Sequence, residues 1–213
     1  MSARRVALVD LGLGNLRSVE RALQQAAAVA RVDATVEVTS RPDDVAAADH
    51  VVVPGQGAFR DGGAAVATAL GEALRSAVAR GAPYLGICLG LQLLFESSDE
   101  APGVRGLGLF GGHNTRLSAG PGVKVPHMGW NRVTLSADAP APLVEAARVS
   151  PWFYFVHSFH AAPVDRGLIA AEATHGANAV TAAVARDNVL AVQFHPEKSH
   201  AAGVALLASF LRG

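Results

Sequence analysis

Two short stretches of this chain hold side chains that could do covalent chemistry. The first is Tyr84-Leu-Gly-Ile-Cys-Leu-Gly-Leu-Gln-Leu-Leu-Phe95, which carries the chain's one cysteine, Cys88, with Gly86 and Gly90 two residues away on either side. A buried-strand pattern precedes the cysteine and an amphipathic helix pattern follows it. That is the setting of a nucleophile elbow, a strand-to-helix turn so sharp that only glycine fits beside the reactive group. The following helix would aim its free N–H groups and dipole at the sulfur and favour the thiolate. The N–H of Leu89, one residue on, would face an oxyanion. A free cysteine is more often a small buried hydrophobe. The glycines and the strand-to-helix switch favour the nucleophile, and the motif alone leaves both readings open.

The second stretch is Val192-Gln-Phe-His-Pro-Glu197. A thiolate hydrolase needs a histidine, usually held by a carboxylate. Pro196 forces His195 into an extended conformation, and extended residues two apart face the same side. Glu197 can therefore lie beside the His195 ring and orient it. The plainer reading is a strand end followed by a solvated glutamate. A second oxyanion donor is expected from a strand-end loop, and Val53-Pro-Gly-Gln-Gly-Ala-Phe59 fits, because its glycines allow a backbone flip; a plain turn is the alternative.

The elements that would position these groups follow from the apolar pattern. Val6–Val9, Thr35–Thr39, Val51–Val53 and Tyr84–Ile87 read as short strands. Leu16–Val29, Gly63–Arg80 and Leu89–Glu96 read as the helices between them. Short all-apolar strands alternating with helices imply a mostly parallel central sheet covered by helices on both faces. After residue 97 the pattern changes. Asn131–Ser136, Trp152–His157, Leu168–Thr174, Ala179–Arg186 and Val189–His195 read as strands without long helices between them, which suggests added antiparallel strands. Ala201–Leu211 reads as a last helix. The expected architecture is α/β, one domain over residues 1–213.

Composition narrows the function class. Half of the 213 residues are hydrophobic and 17% are charged, enough for a sizeable core and too apolar for disorder. Eighteen basic residues balance 18 acidic ones, so there is no overall field to grip a nucleic acid. A lone thiol forms no internal disulfide and suits a reducing, cytoplasmic setting. No apolar run approaches a membrane span, and the stretch from Met1 to Asp10 is too short for a signal peptide. Cofactor motifs fail: Arg17 stands where the dinucleotide fingerprint of Gly12 and Gly14 needs its third glycine. Gly63 and Ala64 stand where a phosphate loop would place Lys and Ser or Thr. The eight histidines show no metal-binding helix motif, so neither metal nor cofactor is expected.

Gly86-Ile-Cys-Leu-Gly-Leu-Gln92 together with Gln193-Phe-His-Pro-Glu197 resembles the triad (class I) glutamine amidotransferases, on a flavodoxin-like fold. Asp10–Ser18, Pro54–Phe59, Pro126–Asn131, Tyr154–Phe159 and Gln193–Ser199 resemble more closely the subfamily of glutaminase subunits that serve imidazole glycerol phosphate synthases. The resemblance implies hydrolysis of L-glutamine to glutamate and delivery of ammonia to a cyclase subunit, a (β/α)₈ barrel on a separate polypeptide, in a heterodimer. It implies Cys88 as nucleophile, His195 as acid/base and Glu197 as its orienting carboxylate. Gln92, one helical turn after Cys88, would contact glutamine. Gly55, Gln56 and Gly57 would form the oxyanion segment with Leu89, although relatives often have an apolar residue where Gln56 stands. Ser158 and Phe159 would hold the amino-acid end through their backbone. Met128, Trp130 and Asn131 would face the cyclase. Lys198, one of two lysines with Lys124, would pair there with an acidic residue. Other readings are a glutaminase for pyridoxal phosphate, anthranilate or guanylate synthesis, an elbow-cysteine protease or chaperone, and an inactive scaffold. Leu89 in place of a histidine after the cysteine argues against the protease type, and the intact Cys-His-Glu set against the scaffold.

Overall fold

The computed structural model describes residues 3–213. Met1 and Ser2, the start of the stretch read above as too short for a signal peptide, lie outside the described residues. The first half is a series of parallel crossovers. Strand β1 (Arg4–Val9) leads to helix α1 (Leu16–Ala30), then β2 (Ala34–Thr39), α2 (Pro42–Ala47) and β3 (His50–Gly55). Next come α3 (Phe59–Val66), α4 (Ala69–Ala79), β4 (Tyr84–Cys88) and α5 (Leu89–Gln92). The second half is richer in strands: β5 (Ser97–Ser98), β6 (Gly112–Arg116), β7 (His127–Leu135), helix α6 (Ala141–Val149), β8 (Trp152–His157) and β9 (Phe159–Pro163). The chain ends through β10 (Ile169–His175), β11 (Asn178–Arg186), β12 (Val189–Val192) and α7 (His200–Arg212).

A nine-stranded sheet in the order β2-β1-β3-β4-β12-β11-β10-β7-β8 forms the spine. Its strands from β2 to β12 run parallel, and those from β12 to β8 antiparallel. Alternation along the parallel strands divides the core in two. Val6, Leu8, Val52, Leu85 and Ile87 pack under α1, α6 and α7. Ala7, Val9, Val51, Val53 and Tyr84 pack under α2 to α5 on the other face. Each face of the sheet thus has its own helical cover, as all-apolar strands require. A second, three-stranded sheet of β5, β6 and β9 packs on the α5 side.

Four sequence expectations need correction. The strand expected over Val189–His195 stops at Val192, and Pro196–Lys198 form a short helical turn. The helix expected over 63–80 is two helices. Thr68 divides them: its Oγ1 donates to the Ala65 carbonyl at 2.7 Å and accepts from the Leu70 N–H at 3.3 Å, stopping α3 and capping α4. The helix expected to reach Glu96 stops at Gln92, because the Leu93 and Leu94 carbonyls accept from Leu107 N (2.6 Å) and Phe110 N (3.0 Å) instead of from the next helical turn. Residues 97–200 also contain α6, which the sequence reading missed. Pro140 and Pro142 look like loop punctuation but occupy the cap and first turn, where proline's fixed φ suits a helix.

Candidate active site

Cys88 ends β4, the strand flanked in the sheet by β3 and β12. Both neighbours run parallel to it, so the loops after all three strands emerge at one end, where open α/β sheets place their sites. The elbow is present. Cys88 has φ 55° and ψ −103°, a conformation rare for any residue with a side chain. A Cβ on Gly90 would sit 1.8 Å from the Val53 carbonyl oxygen, and one on Gly86 would sit 2.7 Å from the Gly90 carbonyl oxygen. Both flanking glycines are therefore required by backbone contact. The helix-dipole expectation is weakened, since α5 has only four residues and carries little macrodipole.

His195 follows β12 and is 1% exposed. Its backbone N–H donates to the Tyr154 carbonyl (2.8 Å), and its own carbonyl accepts from Ser199 Oγ (2.7 Å). The ring is oriented by Glu197, whose Oε1 lies 2.8 Å from His195 Nδ1. His195 Nε2 is buried and has no hydrogen-bond partner among the described residues. Burial opposes the imidazolium, but the adjoining Cys88 and the Glu197 carboxylate outweigh it and push the His195 pKa up to about 9. At neutral pH the ring is then protonated, its Nε2 proton available on the Cys88 side.

On the other flank, Gly55 lies in register with Cys88. A Cβ on Gly55 would meet the Leu89 Cβ at 2.8 Å, so the loop after β3 presses directly on the turn after Cys88. Gly57 has φ 155° and packs on Leu13. The Gln56 side chain reaches across to His195, with Nε2 3.4 Å from Nδ1. The Gly12–Gly14 turn backs this loop: a Cβ on Gly14 would sit 3.0 Å from the Gln56 nitrogen.

A cleft of about 350 Å³ opens over the sulfur. Cys88, Leu89, Gln92, Gln56 and Gly57 line one side, and Ser158, Phe159 and Lys198 another. Gln92 is 5% exposed, and its Nε2 donates to the Phe159 carbonyl at 2.8 Å and to Gln193 Oε1 at 3.2 Å. Pro126, Val156 and His157 complete the lining, and two further polar side chains, Gln193 and Glu100, join the site without having stood out in the sequence. Gln193 is fully buried with its Nε2 3.5 Å from Cys88 Sγ. It stands in the motif that gave His195, two residues earlier, and the same-face rule for extended residues could have found it. Glu100 lines the cleft and accepts the Phe59 N–H at 2.7 Å. Its place in a polar turn gave no signal.

The expected partner-facing residues do not stay together. Met128 (62% exposed) and Trp130 (44%) project from one face of β7. Trp130 stacks on His200, with ring centroids 5.0 Å apart, and Lys198 Nζ lies 5.8 Å over the Tyr154 ring nearby. Asn131 alternates to the opposite side of the strand, where its amide donates to the Thr174 carbonyl at 2.8 Å and meets His127 Nε2 at 3.1 Å. Among the described residues no group of acidic, histidine or cysteine side chains has a metal-binding arrangement, and no helix is long and apolar enough to cross a membrane.

A mixed sheet with an elbow cysteine at the end of an inner parallel strand, and a histidine–glutamate pair just past the end of the neighbouring strand β12, defines a class. The glutamine amidotransferase class-I family model matches residues 7–212, and the chain belongs to that family. The chain is 46% identical over 212 residues to the imidazole glycerol phosphate synthase subunit HisH of Thermosynechococcus vestitus, covering 99% of this chain and 98% of that protein. It is 49% identical over 213 residues to the subunit of the same name from Methylococcus capsulatus, covering 97% and 95%. Among solved structures, the PurLQS structure from Thermotoga maritima aligns over 99% of each chain with a TM-score of 0.71 at 19% identity. A glutamine amidotransferase crystal structure aligns over 97% of each with a TM-score of 0.68 at 19% identity. At those identities the structures speak for the fold.

Proposed function

We propose that this chain is the glutaminase subunit of an imidazole glycerol phosphate synthase, acting on L-glutamine in the cytoplasm and passing ammonia to a cyclase subunit. The observation that carries the reading is the arrangement around Cys88: a strained elbow between the Gly55–Gly57 loop and the His195–Glu197 pair, in a chain nearly half identical to HisH proteins over its whole length.

The Cys88 thiolate attacks the side-chain carboxamide carbon of glutamine. The carbonyl electrons move to oxygen, and this oxyanion is met by the Leu89 N–H and an N–H of the 55–57 segment. As the tetrahedral intermediate collapses, the C–N bond breaks and protonated His195 gives its Nε2 proton to the departing nitrogen, releasing ammonia. Neutral His195 then takes a proton from water, which attacks the thioester and frees glutamate and the thiolate. Glu197 holds the ring through both transfers. Glu100 offers the cleft a carboxylate for the α-ammonium of the substrate, and the Ser158–Phe159 backbone lies beside it. Gln92 and Gln193 fix the wall around the sulfur.

Ammonia free in water would be protonated and lost as a nucleophile, so the product calls for a docked acceptor. Met128, Trp130 and Lys198 form the face on which we place the cyclase. The test is glutamate release with and without that subunit and its nucleotide ligand. Activity should be low alone, strongly raised in the complex, and lost in Cys88→Ala. Equal release by wild type and Cys88→Ala would refute the mechanism. Activation by a different synthase alone would refute the assignment of partner.

A further inference from the structure

His127 and His157 face each other across the β7–β8 ladder, at 4% and 6% exposure, and no step above uses either. Their hydrogen bonds fix their tautomers. His157 Nδ1 lies 3.0 Å from the Phe159 carbonyl oxygen. A carbonyl can only accept, so Nδ1 carries the proton and Nε2 of the neutral ring accepts. His127 Nδ1 lies 3.0 Å from that Nε2 and must donate to it, which leaves His127 Nε2 as an acceptor. The group facing it is the Asn131 Nδ2 amide, a donor, at 3.1 Å. One carbonyl thus sets two rings in series, and the amide at the far end matches.

The near end of this chain is the cleft wall. The Phe159 carbonyl also accepts from Gln92 Nε2 at 2.8 Å, and Gln92 is bonded to the Gln193 that reaches Cys88 Sγ. The far end is β7, which carries Met128 and Trp130 on its opposite face. Both rings stay neutral in the working range. Burial, and after it the neighbouring His175, lowers the His127 pKa to about 4. Burial, and after it His127, lowers that of His157 to about 3. A neutral ring has one donor and one acceptor, as a directional relay needs.

We propose that the His127–His157 pair is a positioning relay that sets the Phe159 carbonyl, and through it Gln92, in the wall of the glutamine cleft, tying that wall to the strand that presents the docking face. The proposal rests on the glutaminase reading of the Cys88 cleft. His157 also lines the cleft, but its two ring nitrogens are taken by the Phe159 carbonyl and by His127, so its hydrogen bonding, like that of His127, acts on the site through Phe159.

The first measurement needs no activity. Imidazole ¹⁵N NMR of the full chain at pH 7 should find both rings neutral and protonated at Nδ1, and a His157 protonated at Nε2 would overturn the relay. The second uses the complex with the cyclase. His157→Phe removes both contacts and should raise KM for glutamine about tenfold, with kcat within about threefold of wild type. His157→Asn can place an amide donor near the Phe159 carbonyl and should recover most of that loss. His127→Phe should raise KM by a smaller factor and shift the His157 Nε2 resonance. Equal losses in the Phe and Asn variants, or a fall in kcat with KM unchanged, would overturn the proposal. If His157→Phe does not fold, the Asn variant and the tautomer measurement still decide. A wild-type complex without glutaminase activity would instead count against the reading of the cleft, and the tautomers would judge the relay separately.

Discussion

Gly90→Ala is the smallest change that should disable the site without touching a reacting group. The added Cβ would lie 1.8 Å from the Val53 carbonyl oxygen, where an ordinary contact begins at about 3.4 Å. The α5 turn and β3 would have to part by about 1.5 Å, and the obstacle is backbone, which has no alternative rotamer. Within a helix, alanine gains up to about 1 kcal/mol over glycine. Overpacking of this kind costs about 1–3 kcal/mol or more, and a clash this short against backbone belongs at the upper end, so the net expectation is a loss of about 2 kcal/mol. That is a fall in Tm of about 4–8 °C for a chain of this size. The effect on rate should be larger in proportion. Displacement falls between Cys88 on one strand and Gly55 on the other, the two parts that must converge on the oxyanion, and an error of about 1 Å in such positioning can cost about 10²-fold. Thermal unfolding and glutamate release in the complex measure the two effects. Gly111→Ala is the control, because a Cβ there meets nothing within 4 Å and the φ is ordinary. If Gly90→Ala were as stable and as active as the control, the elbow would have enough slack that its glycines are not required.

The buried histidines predict opposite limbs of a pH–stability curve. His127 and His157 have folded pKa values below the ordinary 6.5, so the stability they contribute is present above about 6.5 and falls away as the pH drops towards 4 and below. His195 is raised to about 9, so its contribution is complete below about 6.5 and disappears as the pH rises through about 9. Tm measured from pH 4 to 10 should peak near neutrality, and Glu197→Gln should flatten the alkaline limb; an unchanged limb in that variant would remove Glu197 as its cause. Thr68→Ala removes the hydroxyl that ends α3 and caps α4, and should cost about 1 kcal/mol in urea unfolding with glutaminase activity unchanged.

The residues legible in the sequence were those whose geometry is set by near neighbours. Two glycines specify the turn at Cys88, and Pro196 keeps His195 extended, although Glu197 reaches the ring from a short helical turn over Pro196–Lys198 and not from extended backbone. What escaped depends on pairing between distant strands. His127 and His157 become a couple only through the β7–β8 register, which no local pattern displays. Asn131 was grouped with Met128 and Trp130 by the family resemblance of the Pro126–Asn131 stretch; once 127–135 is a strand, alternation separates them. Glu100 and the small sheet were hidden for the same reason, since β5 is two residues long and has no apolar period of its own.

The shortness of α5 changes how the sulfur must be supported. A four-residue helix cannot hold itself by its own hydrogen bonds and has little dipole to lend. Its end is pinned from outside: Asn114 Nδ2 of β6 donates to the Gln92 carbonyl at 2.9 Å and to the Ser97 carbonyl at 2.9 Å. The three-stranded sheet therefore serves the candidate site as a brace for the turn that follows the proposed nucleophile. With little macrodipole in play, the sulfur is adjoined by the His195 imidazolium, whose charge burial opposes but Cys88 and then Glu197 sustain through neutrality. Such a pair suits the proposed order of proton transfers, because the first demand on His195 is to give a proton to the leaving nitrogen, and only after ammonia has gone to accept one from water. Glu197, which supports that charge after Cys88 itself, would then be as much a part of the proposed nucleophile's activation as the elbow is of its placement.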